Sequence, residues 1–188
     1  MRCADQKSQM KIAKVKKATE GQGGFTLIEL IIAIAIAGLI TAGITFAIMQ
    51  LLTINTRASN HMVAVRQVQQ AGKEVSKDAL QAQTLNATGT RGFPLVLTWT
   101  EWGTNNTHAV NYTLENAPSG LKELQRRESI DGGNPTVTTV AEYIASNQTS
   151  CAPLGVLQAG SALNFTVTAT LGTESETRIY EIEPRPDS

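Results

Sequence analysis

The hydrophobic pattern divides the chain into an apolar segment, an amphipathic segment and a region of alternating residues. In the apolar segment, residues 25–52, the only charged side chain is Glu29. These 28 residues would span roughly 42 Å as a helix. Because a bilayer core of about 30 Å needs only ~20 apolar residues, the pattern predicts a helix that can cross a membrane.

The amphipathic segment continues the helical pattern with apolar or small residues on one face. Their spacing alternates between three and four residues, and charged residues occupy the other faces. The positions are Leu51, Ile54, Ala58, His61, Val65, Val68, Gly72, Val75, Ala79 and Ala82. We expect one long helix that ends near residues 86–90 and whose second half lies on a globular domain, with His61 packed or at its boundary. A free-standing coiled coil is the alternative, which the small residues of this face disfavour.

The remainder of the chain has the alternation and turn residues of a β-rich region. Residues 139–145 fit either a short helix or a strand, and residues 147–161 are expected to form an irregular surface loop. The strand-like segments are residues 95–102, 109–114, 121–130, 163–170 and 177–183. The predicted fold class is therefore α+β, with a long N-terminal helix packed on a small antiparallel sheet.

Three features of the β-rich region are candidates for chemistry, and each has a simpler interpretation. Trp99 and Trp102 are three residues apart and would face opposite sides of one strand, so packing is expected rather than an aromatic platform. The turn at residues 131–135 has one Asp and one Asn, which is little for a calcium loop. Cys151 has no nucleophile signature around it and is expected to be a buried or loop thiol. We predict no enzyme activity, cofactor or metal.

Glu29 is a carboxylate inside the apolar segment and needs a cationic partner, because its insertion costs about 2.5–3.5 kcal/mol. No Lys or Arg lies between Lys17 and Arg57. Cleavage between Gly24 and Phe25 would create a positive α-amino group on Phe25, about 6 Å from Glu29 along a helix axis. We therefore expect these two groups to pair between staggered neighbouring chains, as in a polymer.

Residues 24–29 (GFTLIE) resemble the class III signal sequence of type IV pilins and type II secretion pseudopilins. The resemblance is specific over residues 23–30 and extends through the apolar segment. It implies that prepilin peptidase cuts after Gly24, that Phe25 becomes the N-methylated terminus, and that Glu29 is the assembly and methylation carboxylate. Gly38 falls where many pilins have a helix-loosening glycine, whereas Phe46 stands where a proline is often found.

The charge pattern predicts the orientation in the membrane. Residues 1–24 carry six basic and two acidic side chains, a net charge of +4, so this leader is expected to stay in the cytoplasm. A Sec-type signal peptide would have its apolar core before the cleavage site, whereas here it follows. The rest of the chain has ten basic and fourteen acidic side chains, a net charge of −4 that gives no reason to predict nucleic-acid binding.

Cysteine usage bears on the kind of subunit. Once the leader with Cys3 is removed, only Cys151 remains, so no internal disulfide is predicted. Many major pilins close their C-terminal region with a disulfide. This chain lacks one. Its closing pattern of residues 124–127, then residues 140–144, then a final hairpin resembles that of minor pseudopilins of the J class.

The resemblance implies a structural subunit of a type IV pilus or type II secretion pseudopilus, most consistent with a minor subunit. A major shaft pilin, and a pilus-associated adhesin or DNA-uptake binding module, are the alternatives. The implied partners are prepilin peptidase, other pilins or pseudopilins through the N-terminal helix, an inner-membrane assembly platform and, before assembly, membrane lipid.

The expected organisation has four parts. Residues 1–24 are a leader that is removed, residues 25–52 are the transmembrane and assembly half of the helix, residues 53–86 are its amphipathic half, and residues 87–188 are an exported β-rich head. We expect a single-pass inner-membrane protein with an exported C-terminal head, which enters a pilus or periplasmic pseudopilus after assembly.

Overall fold

The computed structural model describes residues 24–158 and 160–185. These residues form one long helix, α1 (Leu27–Ala79), and nine strands that join in a single antiparallel sheet. The predicted α+β fold class is confirmed. The chain forms two compact units, Met1–Ala47 and Ile48–Ser188. The predicted leader, apart from Gly24, lies outside the described residues.

All nine strands belong to the second unit. They are β1 (Thr84–Ala87), β2 (Leu95–Thr100), β3 (Thr107–Asn116), β4 (Lys122–Ile130), β5 (Thr136–Ile144), β6 (Ser150–Ala152), β7 (Gly155–Leu157), β8 (Leu163–Leu171) and β9 (Glu174–Ile182). The order across the sheet is β6-β8-β5-β4-β3-β2-β1-β7, and β9 pairs with β8. A single 3-10 turn, Thr90–Gly92, precedes β2.

The longer strands lie where alternation predicts them. The predicted hairpin near the C-terminus is confirmed as β8 and β9, and β2, β3 and β4 match the three strand-like segments before it. Residues 139–145, for which periodicity left two possibilities, lie in β5 apart from their last residue. The prediction that residues 147–161 form an irregular loop is wrong, because this segment contains the short strands β6 and β7.

The predicted end of the helix near residue 86 is also wrong, since α1 ends at Ala79. Residues 84–87 lie within the predicted helix but pair on both sides as β1. Leu85 is opposite Leu97 of β2 and Leu157 of β7, and it is completely buried there. Burial alternates along these four residues, as expected for a strand paired on two edges.

The core of the second unit lies between one face of α1 and the sheet. The helix contributes small or β-branched side chains that are fully buried, namely Ala64, Val68, Ala71, Val75 and Ala79. The sheet contributes larger side chains, of which Tyr112 and Phe165 are the largest. Large and small residues therefore face each other, which allows close packing between a helix and a sheet.

The buried face of α1 differs in part from the predicted one. Val68, Gly72, Val75 and Ala79 are buried as predicted. His61 is exposed, so the packed alternative is wrong, and it lies three residues before Ala64, where the buried face begins. At Gly72 the ring of Tyr180 occupies the space that a Cβ would need. The Tyr180 hydroxyl donates a hydrogen bond to the Val68 carbonyl at 3.1 Å, which holds the ring over the glycine.

A buried carboxylate joins the last turn of α1 to the sheet. Asp78 is 2% exposed, and its Oδ2 accepts hydrogen bonds from the Tyr112 hydroxyl and from Arg126 Nε, both at 2.6 Å. The hydrogen bond with Asp78 raises the pKa of Arg126, and burial together with the same carboxylate raises the pKa of Tyr112. Asp78 therefore has both a cation and a neutral donor as partners.

We expect Asp78→Asn to lower the free energy of unfolding by on the order of 3 kcal/mol, because Arg126 would lose its most buried partner. Chemical denaturation of the purified protein in detergent, followed by tryptophan fluorescence, measures this change. The matched control is Arg127→Gln on the same strand. The Arg127–Glu115 pair is 42% exposed on both sides, so we expect a change of only about 0–1 kcal/mol. Equal destabilisation by the two variants would contradict the importance of Asp78.

Candidate functional site

The residues predicted for cleavage and assembly lie together at the start of α1. Gly24 and Phe25 precede the helix, and Glu29 lies in its first turn. Apart from its chain neighbours, no described residue has an atom within 4 Å of the position where a Cβ on Gly24 would be, and Phe25 is 84% exposed. The peptide bond between Gly24 and Phe25 is therefore flanked by exposed residues in the described chain.

Thr26 caps this end of the helix and contacts Glu29. The Glu29 backbone N–H donates to Thr26 Oγ1 at 3.3 Å, and the Thr26 hydroxyl donates to Glu29 Oε2 at 3.4 Å. This reciprocal arrangement is a variant of the capping box, and a carboxylate in the first turn is favoured by the helix dipole. Sequence reasoning missed the role of Thr26, although a Thr three residues before a Glu is the signature of such a cap.

The hydroxyl of Thr26 is a neutral partner, so it does not balance the charge of Glu29. Between Gly24 and Arg57 the sequence has no Lys, Arg or His. The described part of this segment therefore offers Glu29 no cation. This geometry is compatible with Glu29 as the assembly and methylation carboxylate, and that role remains a prediction.

The first part of α1 is exposed on all sides and is apolar. Every residue from 24 to 59 is exposed, and the helix is long and apolar enough to cross a membrane by length and composition. Four threonine hydroxyls donate to backbone carbonyls four residues earlier, at 2.8–3.0 Å, in Thr41, Thr45, Thr53 and Thr56. These hydroxyls are therefore satisfied within the helix and need no water.

A family model described as the prokaryotic N-terminal methylation motif matches residues 21–45. This match confirms the resemblance of the N-terminal segment to the class III signal sequence of type IV pilins and pseudopilins. Searches of curated proteins and of solved structures find no significant match. The motif supports a type IV pilin-like prepilin substrate and implies processing by prepilin peptidase and assembly with other pilins.

The match also bears on the class of protein and on its location. The motif marks a structural, pilin-like substrate. Together with the apolar helix it is consistent with membrane anchoring and pilus assembly. The match ends at residue 45, so it says nothing about the β-rich region or about the resemblance to the J class.

The two tryptophans occupy different environments. Trp99 is 8% exposed and stacks on His108 with ring centroids 5.0 Å apart, so its predicted packing is confirmed. Trp102 is 92% exposed and lies in the turn after β2, which ends at Thr100. Strand packing was the wrong prediction for Trp102, because the turn begins before alternation can place it on a strand face.

The remaining two candidates for chemistry are the turn at residues 131–135 and Cys151. Asp131 Oδ1 accepts a hydrogen bond from the Thr107 backbone N–H at 2.7 Å. Among the described residues, no group of three or more His, Cys, Asp and Glu is arranged to hold a metal.

Cys151 lies in β6 and is 1% exposed, as predicted for a buried thiol. Burial raises the pKa of Cys151 to about 12, which disfavours the nucleophilic thiolate.

Proposed function

We propose that this chain is a structural subunit that is cleaved between Gly24 and Phe25 and assembled into a filament through α1. The observation that carries the proposal is the position of the matched motif. It coincides with the exposed start of a membrane-length helix whose only early charge is Glu29. The cut site, the methylated terminus and the assembly carboxylate then occupy one short segment.

In this proposal, prepilin peptidase removes residues 1–24 and the new amine of Phe25 is methylated. Gly24 suits the position before the cut because it has no side chain, and its surroundings in the described chain are open. The basic leader stays in the cytoplasm under the positive-inside rule, and the β-rich head is exported. The subunit is then a single-pass inner-membrane protein until it leaves the bilayer.

Assembly is driven by helix packing together with one charge pair between chains. Residues 25–52 form the transmembrane and assembly half, and residues 53–86 contain the amphipathic half, which ends at Ala79 in the structure. Apolar helices gain little from hydrophobicity when they leave lipid for one another, so polar contacts and close packing decide their association. Pairing of Glu29 with the Phe25 amine of a neighbouring subunit supplies such a contact and removes an unbalanced charge from the apolar environment.

Within this class of protein we favour a minor subunit of a type IV pilus or type II secretion pseudopilus. Its support is the single buried thiol at Cys151, which leaves the exported part without an internal disulfide. A major shaft pilin would use the same helix. An adhesin or DNA-uptake module would instead depend on the head.

We expect Gly24→Arg to block processing, because a long cation replaces the small residue before the cut. Mass spectrometry of membranes from cells that express prepilin peptidase should then detect no peptide beginning at Phe25. Gly43→Ala is the matched control, since this glycine is equally open but lies in the helix beyond the proposed site. Normal processing of the Gly24→Arg variant would refute the assigned cut.

We expect Glu29→Ala to be cleaved but to enter filaments poorly, with a loss of at least about tenfold, since the charge pair between subunits is worth more than ~1.4 kcal/mol in an apolar environment. Glu29→Gln should behave in the same way because it keeps the shape and loses the charge. Gln50→Ala controls for a polar change elsewhere in the helix. The measurement is the amount of variant in sheared filaments relative to membranes, and efficient incorporation of Glu29→Gln would exclude the charge pair.

The choice between a minor and a major subunit depends on abundance. In filaments sheared from the native host, we expect the methylated peptide that begins at Phe25 to be present in trace amounts beside another pilin. Quantitative peptide mass spectrometry measures this ratio, and membrane-fraction peptides of the same chain control for recovery. Dominance of the Phe25 peptide in the sheared fraction would identify a shaft pilin instead.

A further inference from the structure

A large open cavity lies in the second unit, at the end of α1 and beside the turn that follows β2. Its volume is about 770 Å³, within the usual range of small-molecule sites. Trp99, Trp102, Glu101, His108, Arg126 and Glu128 are among the residues that line it. We call it the Trp102 cavity.

The cavity forms where one face of the sheet changes from apolar to polar. On β4, Leu124, Arg126 and Glu128 share a face because side chains alternate along a strand. Leu124 is fully buried in the core, Arg126 binds Asp78 in the last turn of α1, and Glu128 lies one step further along the strand. Beside the last turns of α1, whose Gln70, Glu74 and Lys77 also line the cavity, this face therefore carries charged groups that remain partly exposed.

The polar groups at the base of the cavity are held in place by one another. His108 is opposite Trp99 across β2 and β3, and their rings are within 4° of parallel. The His108 Nδ1 lies 3.3 Å from Glu128 Oε1, and Arg126 donates to Glu128 Oε2 at 2.8 Å. The hydrogen bond from Arg126 lowers the pKa of Glu128, so this carboxylate is an acceptor near neutral pH. The base is thus a preformed set of hydrogen-bonding groups.

Trp102 lies at the opening of the cavity and is 92% exposed, the most exposed of the large hydrophobic side chains described. Beside it, Glu101 is 52% exposed and accepts a hydrogen bond from the Thr104 hydroxyl at 2.6 Å. A bare indole next to an accessible carboxylate gives one flat apolar surface and one strong acceptor at the same edge.

The lining restricts the chemistry of a ligand. Its charges nearly balance, with four carboxylates against three Lys or Arg side chains, so neither a polyanion nor a polycation is favoured. An apolar ligand would cover amides, hydroxyls and carboxylates without giving them partners, which is costly. A ligand that fits this lining has many neutral hydroxyl groups at its edges and a flat carbon-hydrogen face that packs on an indole. Sugar rings have both properties.

We propose that the Trp102 cavity binds a neutral oligosaccharide of about two or three units, with one ring stacked on Trp102 and its hydroxyls donating to Glu101. The volume suits a ligand of this size. The proposal concerns only the second unit, so it does not depend on cleavage or on filament assembly. It gives the exported head a ligand of defined chemistry.

The test uses the purified full chain in a polyoxyethylene detergent, because glucoside and maltoside detergents carry the proposed ligand class. The probes are maltotriose, cellotriose, triacetylchitotriose and galactotriose, with trilysine and triaspartate peptides as charged competitors. We expect at least one sugar to bind and to change the tryptophan fluorescence, with saturation-transfer NMR confirming contact. The charged peptides should not compete.

Trp102→Ala and Glu101→Gln should each weaken binding roughly threefold to tenfold. Both side chains are largely exposed, so the variants are expected to fold, and an unchanged denaturation midpoint verifies this. Ile179→Ala is the control, because this exposed residue of β9 does not line the cavity. Failure of all four sugars to bind, preferential binding of a charged peptide, or sugar affinity unchanged in both variants would each overturn the proposal.

Discussion

A carboxylate that leaves water needs a compensating partner, and α1 carries two carboxylates that meet this requirement differently. Asp78 is 2% exposed and receives hydrogen bonds from Arg126 and Tyr112 of its own chain. Among the described residues, the hydrogen-bond partner of the Glu29 carboxylate is the neutral hydroxyl of Thr26. The first carboxylate therefore stabilises one folded subunit. The second is available to a cation on a neighbouring subunit, and the proposed assembly uses it in this way.

The same helix is adapted to two surroundings along its length. Up to residue 59 all its side chains are exposed, and its threonine hydroxyls are bonded to carbonyls of the same helix, which suits an environment without water. From Ala64 onward, small side chains form one buried face against the sheet. The proposed passage from a bilayer into a filament needs the first kind of surface to be available to lipid and then to other helices, and the second to stay packed.

The sequence was sufficient for features that depend on local pattern. An uninterrupted apolar run predicts a membrane-length helix, and alternation predicts β8 and β9, because both signals lie within the element itself. It was insufficient for β1, whose identity depends on partners that are distant in the chain, such as Leu157 opposite Leu85. The Trp102 cavity could not be predicted for a related reason. Glu101, Arg126 and Glu128 come together only where the end of α1 leaves part of the sheet uncovered.

The contact between Gly72 and Tyr180 joins positions that are more than one hundred residues apart in the chain. A side chain at position 72 would overlap the ring at position 180, so Gly72 cannot gain a side chain while Tyr180 keeps its ring. Divergent members of this lineage should therefore show correlated substitutions, with a bulkier residue at 72 accompanied by a smaller one at 180. Evolutionary drift at these two sites is therefore constrained jointly, because Gly72 is buried against the Tyr180 ring.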